Sequence, residues 1–585
     1  MTVSARKCVR NTDGKTKMEE PQMAKWVEIR KGADFWAIGE KYGISPFTAR
    51  LIRNKDIVGD QEIEEYLHGT LEDLHPASLM KGIPEAVDLL EQKIGENAYI
   101  RIIGDYDIDG VCATYILLRG FRAAGARVDT DIPDRMKDGY GLNRELVKRA
   151  YDAGVDTIVT CDNGIAAVQE IAYARELGMT VIVTDHHEVQ EELPSAQVIV
   201  NPRQADCPYP FKKLCGAAVA WKLVGAFWQQ MGLPLDDLYD ELLMFAGFAT
   251  VGDVMDLTGE NRILVREGLK RLQKTTHPGM SALIEANELA RDTLSAFHIG
   301  FVLGPCINAS GRLATAKRAL ALLDTKDQAL AIERAAELKE LNDERKELTE
   351  QGLAQAVDLI EHSDLMEDRV LVVYLPDCHE SLAGIIAGRI RERYYRPVFV
   401  LTRAEDGVKG SGRSIETYSM FEEMSKCKEL YTRYGGHPMA AGVSMPEEHV
   451  ELFRRRLNEL CTLSKEDLTE VVHIDMALPF SCVSEQVVKE LSLLEPFGKA
   501  NTKPVFAARN VRVLESRVLG KNQNVLRMKL MDESGMTLEG IYFNNCMQEV
   551  IADLQKKPTF HILYYPEINE FRGKRTLQLR VQGYC

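Results

Sequence analysis

Three strand-like runs in the N-terminal half of the chain each end at a cluster of acidic or histidine side chains. The runs are Tyr99–Ile103, Val155–Thr160 and Met179–Thr184, and segments with helical patterning lie between them. Strands that alternate with helices predict a parallel sheet with crossover helices, an α/β fold. Ligands of such sheets bind beyond the carboxyl ends of the strands. We therefore expect the three polar clusters to converge at one edge of one sheet.

The first cluster, Gly104-Asp105-Tyr106-Asp107-Ile108-Asp109-Gly110, is the most acidic of the three. Such crowding of like charges is costly unless a cation lies among them, and a divalent cation with oxygen ligands meets that need. Taken alone, the pattern also fits a solvated acidic turn. The other two clusters, Cys161–Gly164 and Asp185–Glu188, favour a shared metal site because they follow strands of the same predicted sheet.

The composition is typical of a soluble globular protein, with 45% apolar and 27% charged residues over 585 positions. This length suffices for about four domains. The polar, basic stretch Met1–Met23 has no apolar run of signal-peptide length, and we expect it to be a disordered lead. The longest apolar region, Leu214–Trp228, is interrupted by Lys222 and is too short to span a bilayer. We therefore expect a cytoplasmic protein.

Patterning divides the rest of the chain into five segments. Residues 24–98 have helical patterning, and residues 99–323 contain the first α/β pattern. Residues 324–362 are highly charged with apolar residues at helical spacing, which predicts a long connecting helix. Residues 363–462 carry a second, smaller α/β pattern. Residues 468–585 hold five short strands, which favours a small closed barrel of the oligonucleotide/oligosaccharide-binding (OB) type.

Three loops combine small residues with a cationic or histidine side chain. They are Asn308–Arg312, Lys409–Ser414 and Tyr434–Gly442, and the last has His437 among glycines and alanines. Small residues let backbone N–H groups approach a phosphate closely, so we interpret these loops as candidate phosphate sites. A tight turn that packs on a helix is the alternative for each loop.

The C-terminal barrel differs in charge from the whole chain. Residues 505–585 carry 12 Lys and Arg against 8 Asp and Glu, a net charge of +4 in a chain whose net charge is −16. Stacking surfaces beside a basic groove suit single-stranded nucleic acid, although a barrel core with a solvated face would account for many of the same residues. The candidate stacking and basic residues are Phe506, Tyr542, Phe543, Tyr564, Tyr565 and Phe571, and Arg509, Arg512, Arg517, Lys521, Arg527, Lys529 and Arg572.

Taken together, the motifs resemble those of the DHH phosphoesterase family. The matching motifs, in the family's order, are Gly104–Gly110, Thr160–Gly164, Asp185-His186-His187 and Gly252-Asp253. Gly435–Gly442 looks like the glycine-histidine motif of the DHH-associated domain. With Asn308–Arg312, Leu494–Gly498 and the barrel, nearly the whole chain is similar to the bacterial single-strand-specific DNA exonucleases of this family.

This resemblance implies a centre of two divalent cations, Mn²⁺ or Mg²⁺, in the first α/β domain. His187 would contact the scissile phosphate, Asp162 would bridge the two cations, and Asp105 would be a ligand or lie directly beside one. The other implied metal ligands are Asp107, Asp109, His186 and Asp253. The implied substrate-binding residues are Asn308, Ser310, Arg312, Arg389, Ser411, Arg413, Gly435, Gly436 and His437. The chain departs from the family's usual pattern at Asp377–Leu382, which leaves the role of His379 open.

The activity that the resemblance implies is a 5′→3′ exonuclease acting on single-stranded DNA in repair and recombination. Its implied partners are single-stranded DNA, a single-strand-binding protein and a helicase. The alternative within enzymes is a DHH phosphodiesterase acting on cyclic dinucleotides or short RNA, but such proteins resemble only the first two domains. A different class is a catalytically inactive binding subunit of replication machinery. The complete set Asp107, Asp109, Asp162, His186 and His187 argues against that class.

Overall fold

The computed structural model describes residues 24–135, 137–139, 141–520, 522–544, 547–571 and 573–585, so the expected lead at 1–23 lies outside it. Within these residues the helices are α1 (Phe35–Tyr42), α2 (Pro46–Asn54), α3 (Asp60–His68), α4 (Ile83–Gly95), α5 (Ile108–Ala123), α6 (Arg144–Asp152), α7 (Val168–Glu176), α8 (Gly216–Gln230), α9 (Asp237–Gly252), α10 (Gly259–Lys274), α11 (Pro278–Ala286), α12 (Ala296–His298), α13 (Gly304–Leu313), α14 (Lys317–Asp324), α15 (Gln328–Glu361), α16 (Ala383–Tyr394), α17 (Met420–Ser425), α18 (Val450–Leu460), α19 (Glu485–Ser492) and α20 (Met547–Leu554).

The strands of the same residues are β1 (Lys25–Glu28), β2 (Tyr99–Ile103), β3 (Arg127–Asp131), β4 (Thr157–Cys161), β5 (Thr180–Thr184), β6 (Val198–Val200), β7 (Leu371–Tyr374), β8 (Val398–Ala404), β9 (Gly407–Arg413), β10 (Arg433–His437), β11 (Ala440–Met445), β12 (Val471–Ile474), β13 (Met476–Ala477), β14 (Phe506–Leu519), β15 (Val525–Met531), β16 (Thr537–Phe543), β17 (Phe560–Phe571) and β18 (Lys574–Tyr584). The predicted α/β class, the long helix (α15) and the C-terminal barrel are confirmed.

The chain forms two compact units. Among the described residues, one unit contains those within 58–346 and 494–503, and the other contains those within 24–57, 347–493 and 504–585. In the first unit, β2 to β6 form a parallel sheet in the order β3-β2-β4-β5-β6. The carboxyl ends of β2, β4 and β5 therefore lie side by side, as the sequence predicts, and each is followed by one of the polar clusters.

Both faces of this sheet are covered, which explains why its central strands are apolar on both sides. Ile102, Val159 and Ile182 pack with residues of α5 and α8 in one core cluster. Ile103 and Val181 point the other way and pack with residues of α6 and α7. Helix α5 begins directly after the acidic turn and is buried along most of its length, so the turn has a rigid base.

Ten residues from the C-terminal part of the chain belong to the unit that holds the parallel sheet. The Leu257 backbone N–H donates to the Lys499 carbonyl oxygen at 2.9 Å. The buried Arg262 guanidinium donates to the Leu494 carbonyl oxygen at 3.0 Å and lies 3.9 Å from the centroid of the Tyr66 ring. The motif Leu494–Gly498 is thus a structural part of this unit.

The described part of the other unit contains two larger sheets and one two-stranded sheet. Strands β7 to β11 form a mixed sheet in the order β10-β11-β9-β8-β7, with β10 at an edge and α16 packed on β8 and β9. Strands β13 to β18 form a barrel in which β14 pairs with both β15 and β17.

Residues 24–98 are not wholly helical, contrary to our expectation. Strand β1 pairs in parallel with β12, joining the start of the described chain to the segment before the barrel. Trp26 on β1 is buried beside Ile474 and Leu563, so its apolar side chain has a sheet partner instead of a helical face. Among the described residues, no helix is long and apolar enough to cross a membrane.

Candidate metal centre and substrate site

The acidic turn after β2 is held by backbone hydrogen bonds. Asp107 caps α5, and its Oδ1 accepts from the N–H groups of Asp109 at 2.9 Å and Gly110 at 3.0 Å. Asn308 Oδ1 accepts from the Ile108 N–H at 2.8 Å, which fixes the turn from α13. A Cβ added at Gly110 would lie 2.5 Å from the Asp105 carbonyl oxygen, so only glycine fits there. The turn thus presents its carboxylates in a fixed arrangement.

Helix α8 points its N-terminus at Asp109, a contact that the sequence analysis missed. The Gly216 N–H donates to Asp109 Oδ2 at 2.6 Å, and the Ala217 N–H donates to Oδ1 at 2.8 Å. Unpaired N–H groups at a helix start favour a negative charge, so this contact stabilises the ionised carboxylate. The signal in the sequence was Gly216 at the start of an apolar helix, which alone does not identify a partner.

Asp162 lies at the centre of the cluster and in a left-handed backbone conformation. Its φ is 60°, which is uncommon for a residue other than glycine and occurs often at functional positions. The side chain is 2% exposed. A Cβ added at Gly216 would lie 2.7 Å from the Asp162 Cβ, so a glycine at the start of α8 makes room for this aspartate.

The two histidines after β5 have different environments. His186 is 7% exposed, and its Nε2 lies 3.0 Å from Asp162 Oδ1, 3.5 Å from Asp109 Oδ2 and 3.8 Å from Asp253 Oδ2. His187 is 44% exposed and is therefore accessible to a substrate. The buried ring lies among three carboxylates, as a metal ligand would, whereas Nδ1 of the exposed ring lies 2.7 Å from Asp185 Oδ1 and 3.9 Å from Asp162 Oδ1.

Asp185 orients His187, a role that the sequence analysis did not assign. Asp185 Oδ1 lies 2.7 Å from His187 Nδ1 and accepts from the His186 and His187 backbone N–H groups. Burial lowers the pKa of His187, but the hydrogen bond with Asp185 and the charges of Asp185, Asp253 and Asp109 outweigh it and raise the pKa to about 9. A carboxylate behind a histidine fixes the direction of its ring.

The cluster has the chemistry of a divalent metal site. The side chains form three groups, and within each group the candidate ligand atoms lie within 4.8 Å of one another. The groups are Asp109, His186 and Asp253; Asp105, Asp107 and Asp162; and Asp162, His186 and His187. Burial, followed by the charges of neighbouring carboxylates, raises the pKa values of Asp105, Asp107, Asp162 and Asp253.

Burying several carboxylates together is unfavourable without a cation, so a cation would relieve this repulsion. Asp105 Oδ1 is buried and has no hydrogen-bond partner within the described part of the chain, which leaves it available to a cation. Asp162 belongs to two of the three groups, which fits a position between two ions. Mixed carboxylate and imidazole donors suit Mn²⁺ well.

The loop Asn308–Arg312 forms the last turn of α13 and serves two purposes. Arg312 is half-buried, and burial followed by the nearby Arg135 and Arg345 lowers its pKa to about 10, so it stays cationic at neutral pH. The sequence analysis missed Arg135, whose guanidinium lies 4.9 Å from the centroid of the Tyr106 ring. These arginines place positive charge beside the acidic turn, a chemistry that suits a phosphate group.

Ser310 lies in the core of this unit, and its role in substrate binding stays a prediction. Its side chain is fully buried, and its hydroxyl donates to the Ile307 carbonyl oxygen at 2.7 Å. Arg312, two positions further along the same helix, is half-buried and points to another face.

In the other unit, the predicted phosphate-binding residues lie on neighbouring strands. Ser411 and Arg413 are on β9 and Gly435–His437 on the exposed edge strand β10, with β11 between them. Arg413 is opposite Ala440, which is in turn opposite His437. Arg413 Nη1 donates to Ser411 Oγ at 3.0 Å. Arg389 is exposed on α16, which packs on β9.

The aromatic surface expected on the barrel is smaller than predicted. Phe506, Tyr564 and Tyr565 are at most 5% exposed and pack in the barrel core, so they offer no stacking surface. Phe543 is 48% exposed, and the guanidinium of Arg580, a residue absent from our prediction, lies 4.6 Å from its ring centroid. Lys521, Arg572 and the side chain of Phe571 lie outside the described parts of the chain.

Comparisons with known proteins agree with this geometry. Residues 99–246 match the DHH family, N-terminal domain. Residues 367–463 match the DHHA1 domain, and residues 474–583 match the RecJ OB domain. The first match contains the acidic turn, both histidines and most of α9.

Similarity to individual proteins extends over nearly the whole chain. The single-stranded-DNA-specific exonuclease RecJ of Bacillus subtilis (strain 168) is 36% identical, with 93% of this chain and 69% of the relative covered. RecJ of Escherichia coli (strain K12) is 35% identical, with coverages of 92% and 96%. The crystal structure of RecJ in complex with Mn²⁺ from Thermus thermophilus superposes with a TM-score of 0.80 at 30% identity, covering 96% of this chain and 79% of that one. This chain belongs to the RecJ family of single-stranded-DNA-specific exonucleases.

Proposed function

We propose that the chain hydrolyses single-stranded DNA from its 5′ end, releasing nucleotides, with two divalent cations in the cluster around Asp162. The observation that carries the proposal is the arrangement of the DHH residues. Carboxylate and imidazole ligand atoms form three groups, each with its atoms within 4.8 Å of one another, and the groups share Asp162 and His186, in a chain that carries all three RecJ domains. The RecJ relatives are named single-stranded-DNA-specific exonucleases, which supports the substrate.

The metal ligands follow from the three groups. One cation would take Asp109, His186 and Asp253, and the other would take Asp105 and Asp107, with Asp162 between the two. A pair of Mn²⁺ or Mg²⁺ ions activates a water molecule and stabilises the leaving oxygen of an in-line displacement at phosphorus. The N-terminus of α8 holds the Asp109 carboxylate in position, and the cap of α5 holds Asp107, so both side chains are oriented to bind a cation.

The other site residues position the substrate. His187, directed by Asp185, is the accessible imidazole beside the cluster and would contact the scissile phosphate. Arg312 would bind a phosphate on the same side as the acidic turn. Asn308 supports the turn through Ile108, and this contact gives it a structural role as well. On the other unit, Arg389, Ser411, Arg413, Gly435, Gly436 and His437 would hold further phosphates of the strand.

We assign the tasks by domain with the boundaries that the sequence suggests. Residues 99–323 would carry out hydrolysis, and residues 363–462 and 468–585 would bind the strand. In this proposal the protein works in the cytoplasm, in DNA repair and recombination. A helicase would supply the single strand, and a single-strand-binding protein would cover it.

A substrate panel tests the proposal. Single-stranded DNA, single-stranded RNA, double-stranded DNA and a cyclic dinucleotide are each incubated with the protein and Mn²⁺, and with the chelator EDTA as a control. We expect nucleotide release from single-stranded DNA alone or far faster than from the others, and none in EDTA. Preferred hydrolysis of the cyclic dinucleotide or of short RNA would contradict the proposal.

A further inference from the structure

The segment Ala296–Leu313 supports the acidic turn through its inner face. It consists of α12, a π-helical turn at Ile299–Leu303 and α13. Gly304 lies close to Ile108, since an added Cβ would be 3.1 Å from Ile108 Cδ1. Together with the hydrogen bond from the Ile108 N–H to Asn308, this contact ties the segment to the residue between Asp107 and Asp109.

The outer face of the same segment exposes two phenylalanines. Phe297 is 59% exposed and Phe301 is 70% exposed, and their ring centroids are 4.9 Å apart at an interplanar angle of 30°. Burying a phenylalanine is worth roughly 1.5–3 kcal/mol, so two neighbouring exposed rings are unfavourable for the fold alone. Single π-helical turns are frequent at functional sites. The rings therefore point to a ligand.

The position of these rings places that ligand near the metal cluster. Gly300, between the two phenylalanines, lies against Val251, with an added Cβ 3.8 Å from Val251 Cγ1. Val251 is in the last turn of α9, two residues before Asp253. Val254, which follows Asp253, is itself 61% exposed. The segment that carries the two rings therefore packs against the end of α9, next to the residue that offers a candidate metal ligand.

We propose that Phe297 and Phe301 form a stacking platform for unpaired bases of the strand beside the bond that is cut. This inference rests on the proposed function and names a base-binding part of its site. Every base has a planar face, so stacking on aromatic rings tolerates any sequence. Arg312 on the same segment would bind phosphate, while the rings bind bases. Paired bases of a duplex are stacked on each other and do not offer these faces, so the platform favours single strands.

The test compares strands with and without a base at the platform. Release of the first nucleotide is measured for oligothymidylates that lack one base at each of the first few positions. The variants are the double Phe297→Ala/Phe301→Ala and the conservative Phe301→Tyr. Tyr151→Ala, which removes an aromatic that is 47% exposed on α6 of the same unit, is the control.

We expect the double alanine variant to raise KM by ~10-fold or more with little change in kcat, because lost stacking weakens binding. Phe301→Tyr and Tyr151→Ala should behave like the wild type. A missing base at the platform position should raise KM for the wild type and add nothing for the double variant. A KM increase that is the same with and without that base would overturn the proposal, as would no increase at all.

A binding measurement separates this inference from the proposed function. Fluorescence anisotropy of the complete oligothymidylate is recorded with each protein in EDTA, where no hydrolysis takes place. If the wild type releases no nucleotide in Mn²⁺, the proposed function fails, and anisotropy still decides the platform. The platform is supported if the double alanine variant binds the complete strand more weakly than the wild type does, and if this difference in affinity disappears on a strand that lacks the platform base. Equal binding by the wild type and the double variant rejects it.

Discussion

At the scale of single residues, the account depends most on Asp162. Asp162→Asn keeps the size of the side chain and tolerates the left-handed backbone, but it removes the charge that two cations would share. We expect nuclease activity to fall by at least ~100-fold, with loss of bound metal and little change in thermal unfolding of the metal-free protein. Metal content after dialysis and the initial rate on single-stranded DNA measure this.

The control for that substitution is Asp152→Asn. Asp152 is exposed and pairs with Lys148 on α6, so its loss should leave activity unchanged. Near-normal turnover of the Asp162→Asn protein at saturating Mn²⁺ would reject the bridging role.

A second residue-scale prediction concerns Asp185. Asp185→Asn keeps an oxygen for the backbone N–H groups but removes the charge behind His187, so the pKa of His187 should fall from about 9. NMR titration of the ring in the metal-free protein measures this shift. We also expect kcat to fall by ~10–100-fold while metal stoichiometry stays the same. An unchanged His187 titration would show that Asp185 does not control the ring.

The roles of individual side chains could be predicted where the residue types of a motif indicate the chemistry. They could not be predicted where the role depends on the direction in which the side chain points. The acidic turn and His186 were placed correctly because alternating strands bring their ends together. The resemblance implied Ser310 as a substrate-binding residue, and the sequence alone did not show that α13 turns its side chain into the core. Asp185 was overlooked because orienting a neighbour leaves no pattern of its own in a sequence.

At the scale of elements, the start of α8 should control metal affinity. Gly216→Ala would place a Cβ 2.7 Å from the Asp162 Cβ, which pushes the helix away and weakens its hydrogen bonds to Asp109. We expect Mn²⁺ affinity to fall by ~10-fold or more. Gly95→Ala is the matched control, since a Cβ there meets no atom within 4 Å in the described chain. Equal Mn²⁺ affinities of the two variants would contradict the prediction.

Asp131, the last residue of β3, should make the folding stability depend on pH. Asp131 accepts hydrogen bonds from Lys317 and Arg149, which outweigh burial and lower its pKa. A lowered folded-state pKa stabilises the protein above the ordinary aspartate pKa and loses that effect as pH falls through the folded value. Asp131→Asn should thus cost about 1 kcal/mol at neutral pH, since both cations are half exposed.

Denaturant unfolding of the wild type and the Asp131→Asn variant, at neutral pH and in acid, checks this. The difference in unfolding free energy should shrink as the pH falls below about 4. A difference that stays constant with pH would mean that the charge of Asp131 contributes nothing.

Elements were predictable where they are buried and missed where they lie at an edge. Strands β3 and β6 are the two edges of the parallel sheet, and neither was predicted. Strand β3 (Arg127–Asp131) has a charged residue at every second position, with one valine and one threonine between them, and β6 has three residues, so neither shows a long apolar run. In the barrel, register shifts along β14 break the alternation of inward and outward side chains, which is why the exposed aromatics could not be identified.

At the scale of the whole molecule, the C-terminal barrel should affect the affinity for single strands more than the rate of hydrolysis. Cutting the chain at residue 468 is a poor test, because residues 494–503 belong to the unit with the metal cluster and β12 is the partner of β1. The double substitution Phe543→Ala/Arg580→Ala removes the exposed ring and its cation instead. We expect affinity for long single strands to fall ~10-fold, since one stacked base is worth about 1–3 kcal/mol.

The rate on a strand of a few nucleotides should be unchanged in that variant, because the proposed metal ligands that carry out hydrolysis are intact. Val471→Ala, at an exposed position of β12, serves as the control. If the variant lost activity equally on short and long strands, this part of the barrel would stabilise the fold and would not bind the strand.

The domain order was predictable because each domain has its own pattern, whereas contacts between distant segments were not. Pairing of β1 with β12 joins residues more than 400 positions apart, and no local pattern in Lys25–Glu28 specifies its partner. The placement of Leu494–Lys503 beside Leu257 and Arg262 is of the same kind. Such pairings follow from the folded chain, not from local propensity.

The most direct test of the central claim is a time course on one single strand of DNA labelled at either end. The account predicts that a 5′ label appears at once as a released nucleotide, while a 3′-labelled strand shortens step by step. Both reactions should need Mn²⁺ or Mg²⁺ and stop in the Asp162→Asn protein. Release of the 3′ label first, or hydrolysis that survives EDTA or the Asp162 substitution, would contradict the account.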